Sequence, residues 1–115
     1  MSAGPRRFDD LFAAFGPVVL KRFFGGEGIY AGAVMIGMVF DDVVYFKTDA
    51  ETRKPFLAER CEPFGFMKGG ARVVTGWYAL PERLYDDPQE LAGWARAALA
   101  VAKSAPQARK ARRRA

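Results

Sequence analysis

Residues 18–48 read VVLKRFFGGEGIYAGAVMIGMVFDDVVYFKT, and this stretch decides the fold. Val18 to Phe24 is rich in β-branched and aromatic side chains, the composition of a strand. Gly25, Gly26 and Gly28 around Glu27 then predict a turn or a bulged hairpin. The apolar run from about Ile29 to Phe40 predicts a second strand, bent at Gly32 and Gly37. Asp41-Asp42 reads as a hairpin turn, and Val43 to Thr48 as a third strand. Parallel neighbours need a crossover of a dozen residues or more, so three strands with such short links are antiparallel.

Outward from this core the chain alternates less regularly. Phe8, Leu11, Phe12 and Phe15 share one face of a predicted first helix, which Gly16-Pro17 ends. After the strands, Thr48 and Glu51 have capping-box spacing and predict a second helix, broken into a turn up to Arg53 and a piece from Pro55 to Arg60. Phe64 to Lys68 and Arg72 to Leu80 read as a hairpin across Gly69-Gly70. In the last helix Asp87 caps, Pro88 fits the first turn, Glu90 completes a capping box, and Pro106 is the stop. Leu91, Trp94, Ala95, Ala98, Leu99 and Ala102 form its apolar stripe. The predicted order is α-β-β-β-α-β-β-α: a two-layer α+β sandwich, an antiparallel sheet of about five strands with helices on one face. If the other face is apolar too, a second copy or a partner must cover it.

Composition bounds function. Half of the 115 residues are apolar, enough for one domain with a real core. The net charge is +5, and Arg109, Lys110, Arg112, Arg113 and Arg114 account for all of it. The chain therefore divides into a neutral domain over residues 1–103 and a basic tail over 104–115, expected to be disordered, which is where any weak, salt-sensitive contact with nucleic acid would arise. The single cysteine, Cys61, permits no intramolecular disulfide and suits a reducing, cytoplasmic setting. No stretch reaches the roughly 20 apolar residues of a membrane span, so no membrane partner is expected.

No histidine is present, which removes the commonest general base and metal ligand. With one cysteine, the usual structural zinc sites cannot form. The glycines around Glu27 match neither phosphate-loop nor dinucleotide spacing. No catalytic, cofactor-binding or metal-ligating residues are assigned. Aromatic residues on the strands (Tyr30, Phe46, Phe66, Trp77 and Tyr78) read as packing rather than as a base-stacking platform, because few basic residues lie between them.

Several segments resemble the TfoX N-terminal domain family. Phe24-Gly25-Gly26-Glu27-Gly28-Ile29-Tyr30 with Ala31 to Met35 is similar to its glycine-rich opening. Val44-Tyr45-Phe46-Lys47-Thr48-Asp49, Glu62-Pro63-Phe64, Trp77 to Glu82, and Asp87 to Leu91 with Trp94-Ala95 resemble its later parts. The resemblance covers about residues 7–103. It implies a fold akin to secretion chaperones, often seen as a dimer, and kinship with regulators of natural competence. It implies no enzyme. Phe24, Gly25, Gly26, Gly28, Tyr30, Phe46, Lys47 and Trp94 are the motif residues, structural or interacting in role. Longer competence regulators carry a second helical domain where this chain has its basic segment. The leading expectation is thus an interaction module, with an unidentified protein or a second copy as partner. The alternatives are a nucleic-acid-associated regulator using the tail, and a small-ligand binder at the Gly25 to Tyr30 loop.

Overall fold

The computed structural model describes residues 10–23 and 25–114, with side chains as far as Ser104. Six strands form one antiparallel sheet: β1 (Val19–Phe23), β2 (Gly26–Ala31), β3 (Val34–Phe40), β4 (Val43–Lys47), β5 (Pro63–Lys68) and β6 (Ala71–Ala79). Their order across the sheet is β1-β2-β3-β4-β6-β5. Helix α1 (Arg53–Ala58) links β4 to β5. A 3-10 turn (Glu82–Asp86) and helix α2 (Pro88–Arg114) follow β6.

Among the described residues the sheet has six strands, where about five were expected. The run expected as one bent strand is β2 and β3, reversed at Gly32-Ala33, where Gly32 takes φ +65°. No polar or proline residue marks that turn, so the apolar run hides it. One register shift lies between Ile29 and Tyr30 and a second between Pro63 and Gly65. Asp41 and Asp42 both take positive φ, as a two-residue hairpin requires, and Gly69-Gly70 do the same between β5 and β6. Residues 10–15 form turns, with Ala13 N–H donating to Asp10 O and Phe15 N–H to Phe12 O. The start of the expected first helix, Phe8 and Asp9, lies outside the described residues.

The turn that leads into α1 is capped by Asp49 rather than Thr48, and Thr52 directly precedes the helix without a side-chain cap bond. Asp49 Oδ1 accepts from the backbone N–H of Glu51 (3.0 Å) and Thr52 (2.8 Å), and Thr52 Oγ1 accepts from Asp49 N–H (2.9 Å). These donors, Thr52 N–H first, hold the Asp49 carboxyl below its usual range. Thr48 instead donates to Gly76 O and accepts from Arg53 Nε, which ties α1 to β6. Pro55 sits in the first turn of one continuous helix, where a missing N–H costs nothing. Glu90 N–H donates to Asp87 Oδ1 as expected of a cap, but the Glu90 side chain turns to Arg83. Helix α2 continues through Pro106 to Arg114, past the stop expected at Pro106. The residues around Pro106 are mostly alanine, arginine and lysine, the strongest helix formers, which offsets the proline.

Paired residues in an antiparallel sheet share a face. Ile29, Gly37, Phe46 and Tyr78 form one row across β2, β3, β4 and β6. On this face Phe46 meets Phe12, and Tyr78 meets Phe56, which packs edge-on against Trp94 of α2. Leu84, Leu91, Ala95 and Ala98 complete the core. The opposite face is aromatic as well, and curling of the sheet covers much of it. Phe23 on β1 stacks on Trp77 of β6 at 5.8 Å, although three strands separate them. Phe64 meets both Phe40 and Tyr45, each at 5.3 Å, and Met38 is left 2% exposed. The sheet thus supplies part of the cover that the sequence assigned to a partner.

Two polar devices join α2 and the 3-10 turn to this body. Val44 N–H, beyond the paired end of β6, donates to Tyr85 Oη at 2.9 Å. Tyr85→Phe leaves that amide without its partner and is expected to cost about 1–3 kcal/mol, measured by urea denaturation. The second device is Arg83, which bridges Glu90 (2.8 and 2.9 Å) and Glu59. Hydrogen bonds from Arg83 hold both carboxyls below the usual range, and the acids raise Arg83 in turn. A carboxyl lowered in the folded state stabilises above its unfolded pKa of about 4.3, and that contribution fades as pH falls through the folded value. The Tm gap between wild type and Arg83→Gln is therefore expected to be constant near neutrality and to close as pH falls below about 4.

Candidate functional site

The residues marked in advance serve three separate parts of the fold. Gly25 lies in the β1–β2 turn, Gly26 pairs with Phe23, and Gly28 pairs with Lys21 and Met38. Phe24 lies outside the described residues. Lys21 Nζ stands 4.8 Å over the ring of Tyr30, and Lys47 Nζ 5.6 Å over Trp77. Phe46 and Trp94 belong to the helix-bearing face, Phe46 fully buried and Trp94 half-buried. The side chains of Arg109, Lys110, Arg112, Arg113 and Arg114 lie outside the described ones, on a backbone that is helical. Among the described side chains, these positions are spread over the β1–β2 hairpin, the sheet and α2.

Several hollows flank the sheet, among them one of about 730 Å³ beside Tyr30, Val34, Lys47 and Ala102, and two more bear on the expectations above. One, of about 500 Å³, is lined by Arg22, Phe23, Gly25, Gly26 and Glu27 at the β1–β2 hairpin. Its two charged residues, Arg22 and Glu27, are register partners on adjacent strands. The other is an apolar groove of about 400 Å³ between α1 and α2, floored by Phe56, Trp94, Ala97 and Ala98. Among the described residues no cluster of His, Cys, Asp or Glu is placed to hold a metal ion, and no helix is long and apolar enough to cross a membrane. The Cys61 thiol is half-buried, and burial pushes it upward, which slows its reaction as a nucleophile.

The feature that stands out is a corner of the surface. Leu57, Met67 and Val74 are 54%, 65% and 56% exposed. Met67 and Val74 sit on the β5–β6 hairpin, on the face that carries α1 and therefore Leu57. β4 pairs only with Trp77 to Ala79 of β6, so the rest of the hairpin projects past it. β5 is the outermost strand there, and Phe64 to Met67 carry no charge. The sequence reading missed this corner. Its signal was the run Phe64-Gly65-Phe66-Met67, uncharged between Pro63 and the Gly69-Gly70 turn.

The model of the TfoX N-terminal domain matches residues 10–102, from Asp10 before the first turns to Ala102 of α2. The chain belongs to that family. A comparison with curated proteins finds no match. The TfoX N-terminal domain match spans every strand and both helices' packed portions, so its motif residues mark the sheet, its hairpins and the α2 contact. The exposed corner lies within the same span, on elements that the family fold supplies.

Proposed function

We propose that this TfoX N-terminal domain is a non-catalytic, cytoplasmic interaction module that holds another protein against the corner formed by α1 and the β5–β6 hairpin. The observation that carries this reading is the exposure of Leu57 on α1 and of Met67 and Val74 on the β5–β6 hairpin, which with Val19 are the exposed large apolar side chains among the described residues, beside a sheet edge whose Phe64 to Met67 carry no charge. Apolar side chains left in water at one place favour burial against a partner. Kinship with competence regulators supports a regulatory protein as that partner. The half-buried, unpaired Cys61 fits a reducing compartment.

The test is affinity capture with wild type and a Met67→Glu/Val74→Glu double variant, both substitutions at exposed positions. The double variant is expected to keep its Tm and lose the captured protein. Equal capture by both would place the contact elsewhere and refute this reading.

A second reading draws on α2. Its last turns carry five basic residues and no acid from Ser104 onward, on a helical backbone. Such a segment supports salt-sensitive phosphate contact without sequence reading. Deleting residues 104–115 and measuring DNA binding at two salt concentrations decides it: affinity that is unchanged by the deletion and insensitive to salt rules it out.

A further inference from the structure

We propose that two copies of this chain associate edge to edge through β5, paired antiparallel about a two-fold axis at Gly65. The proposal deepens the interaction-module reading and rests on it, since it names a second copy as an occupant of the same corner.

The sheet has two edges, and they differ. β1 presents Lys21 and Arg22, both exposed, in its middle. Lysine and arginine on an edge discourage pairing with another strand. β5 has no charge between Pro63 and Lys68. The open hydrogen-bonding groups of β5 follow from its register. Lys68 and Ala71 close the two-residue turn, and Phe66 pairs with Val73. Alternation in an antiparallel ladder points the N–H and C=O of Lys68 and Phe66 toward β6. Those of Gly65 and Met67 then point away from the sheet, where β5 has no neighbouring strand among the described residues.

The strand is complementary to itself in one register. With Gly65 on the axis, Phe64 stands opposite the partner's Phe66, Pro63 opposite the partner's Met67, and Glu62 opposite the partner's Lys68. Pro63 has no N–H, so at that pair the ladder carries only the hydrogen bond donated by the partner's Met67 N–H to Pro63 O. The two-fold repeats each pairing, which gives two aromatic pairs and two ion pairs from one strand. The sides agree as well. Phe64, Phe66 and Lys68 lie on the concave face, where Phe64 meets Tyr45. Glu62 precedes β5, and its carbonyl accepts from Ala79 N–H of β6, so its backbone continues the alternation of the strand. On the other side Met67, 65% exposed, is covered by the partner's Pro63, next to a glycine that adds no bulk. The atoms nearest to where a Cβ on Gly65 would stand belong to Arg72, with Nη2 at 2.7 Å. That guanidinium lies over Gly65 at the end of a flexible side chain, and pairing requires it to swing off the axis.

The experiment is sedimentation of the full chain over a wide concentration range, as wild type, Glu62→Lys, Lys68→Glu, the double swap and Gly65→Pro. Wild type is expected to dimerise reversibly. Each single reversal sets like charges opposite each other twice and should weaken the dimer about tenfold, and the double swap should restore it. Gly65→Pro removes an outward N–H, tolerated at a sheet edge, and should give monomer with an unchanged circular-dichroism spectrum. If it fails to fold, the charge swap alone decides. A wild type that stays monomeric throughout, or a dimer indifferent to both charge reversals, overturns the proposal. A monomer that still captures a protein through Met67 and Val74 would sink self-association and leave the interaction module standing.

Discussion

Gly37→Ala is expected to cost the fold about 3 kcal/mol or more, read as a large fall in the urea midpoint. Gly37 lies in β3, inside the sheet, paired with both Ile29 and Phe46. A Cβ there would stand 2.1 Å from the carbonyl oxygen of Tyr45 and 3.0 Å from Cδ1 of Phe46. The first of these is backbone, so relief requires β3 and β4 to separate at the centre of the sheet. Domains of this size have only about 5–15 kcal/mol of stability to lose. Gly93 is the control. It lies in α2, and no atom beyond its own stretch of helix comes within 4 Å of where a Cβ would stand, so Gly93→Ala gains helix propensity without a clash. That variant is expected to be more stable by about 1 kcal/mol.

Phe46→Ala carries the second large effect. The ring is fully buried, 0% exposed, and lies 6.2 Å from Phe12, in the row that joins Gly37 to Tyr78. Removing it loses the transfer energy of an aromatic side chain and leaves a cavity against the helix layer, about 3–5 kcal/mol in all. Phe46 is also one of the family motif residues, so the variant separates structure from interaction. Equilibrium unfolding should show the loss directly, and Phe46→Leu should recover much of it together with any binding. A Phe46→Ala protein of normal stability that fails only in binding would show that the motif position serves a contact.

What the sequence made legible was local. Short links between Val18 and Thr48 required an antiparallel sheet, Asp41-Asp42 and Gly69-Gly70 marked two hairpins, and Asp87-Pro88 marked the start of α2. Competing local signals were harder. Thr48 and Asp49 both satisfy a capping spacing, and only the pull of Gly76 and Arg53 on Thr48 decides between them. The Gly32-Ala33 reversal carries no polar signature, which hid a whole strand. Pro106 obeys a rule that its helix-forming neighbours override. The candidate site was the least legible part. Glycines around Glu27 attract notice in a sequence, yet they serve a hairpin. Nothing local singles out Met67 and Val74, whose exposure follows from how far the β5–β6 hairpin projects past β4, a tertiary fact.

Surface burial at the open edge of β5 can be watched at single amides. Hydrogen exchange by NMR, followed as the protein is concentrated, reports on the outward-pointing N–H groups of Gly65 and Met67 against the inward-pointing one of Phe66. Protection of Gly65 and Met67 that rises with concentration, while Phe66 stays protected throughout, is the predicted result. Fast exchange at Gly65 and Met67 under every condition, alone and with any captured protein, would contradict the account.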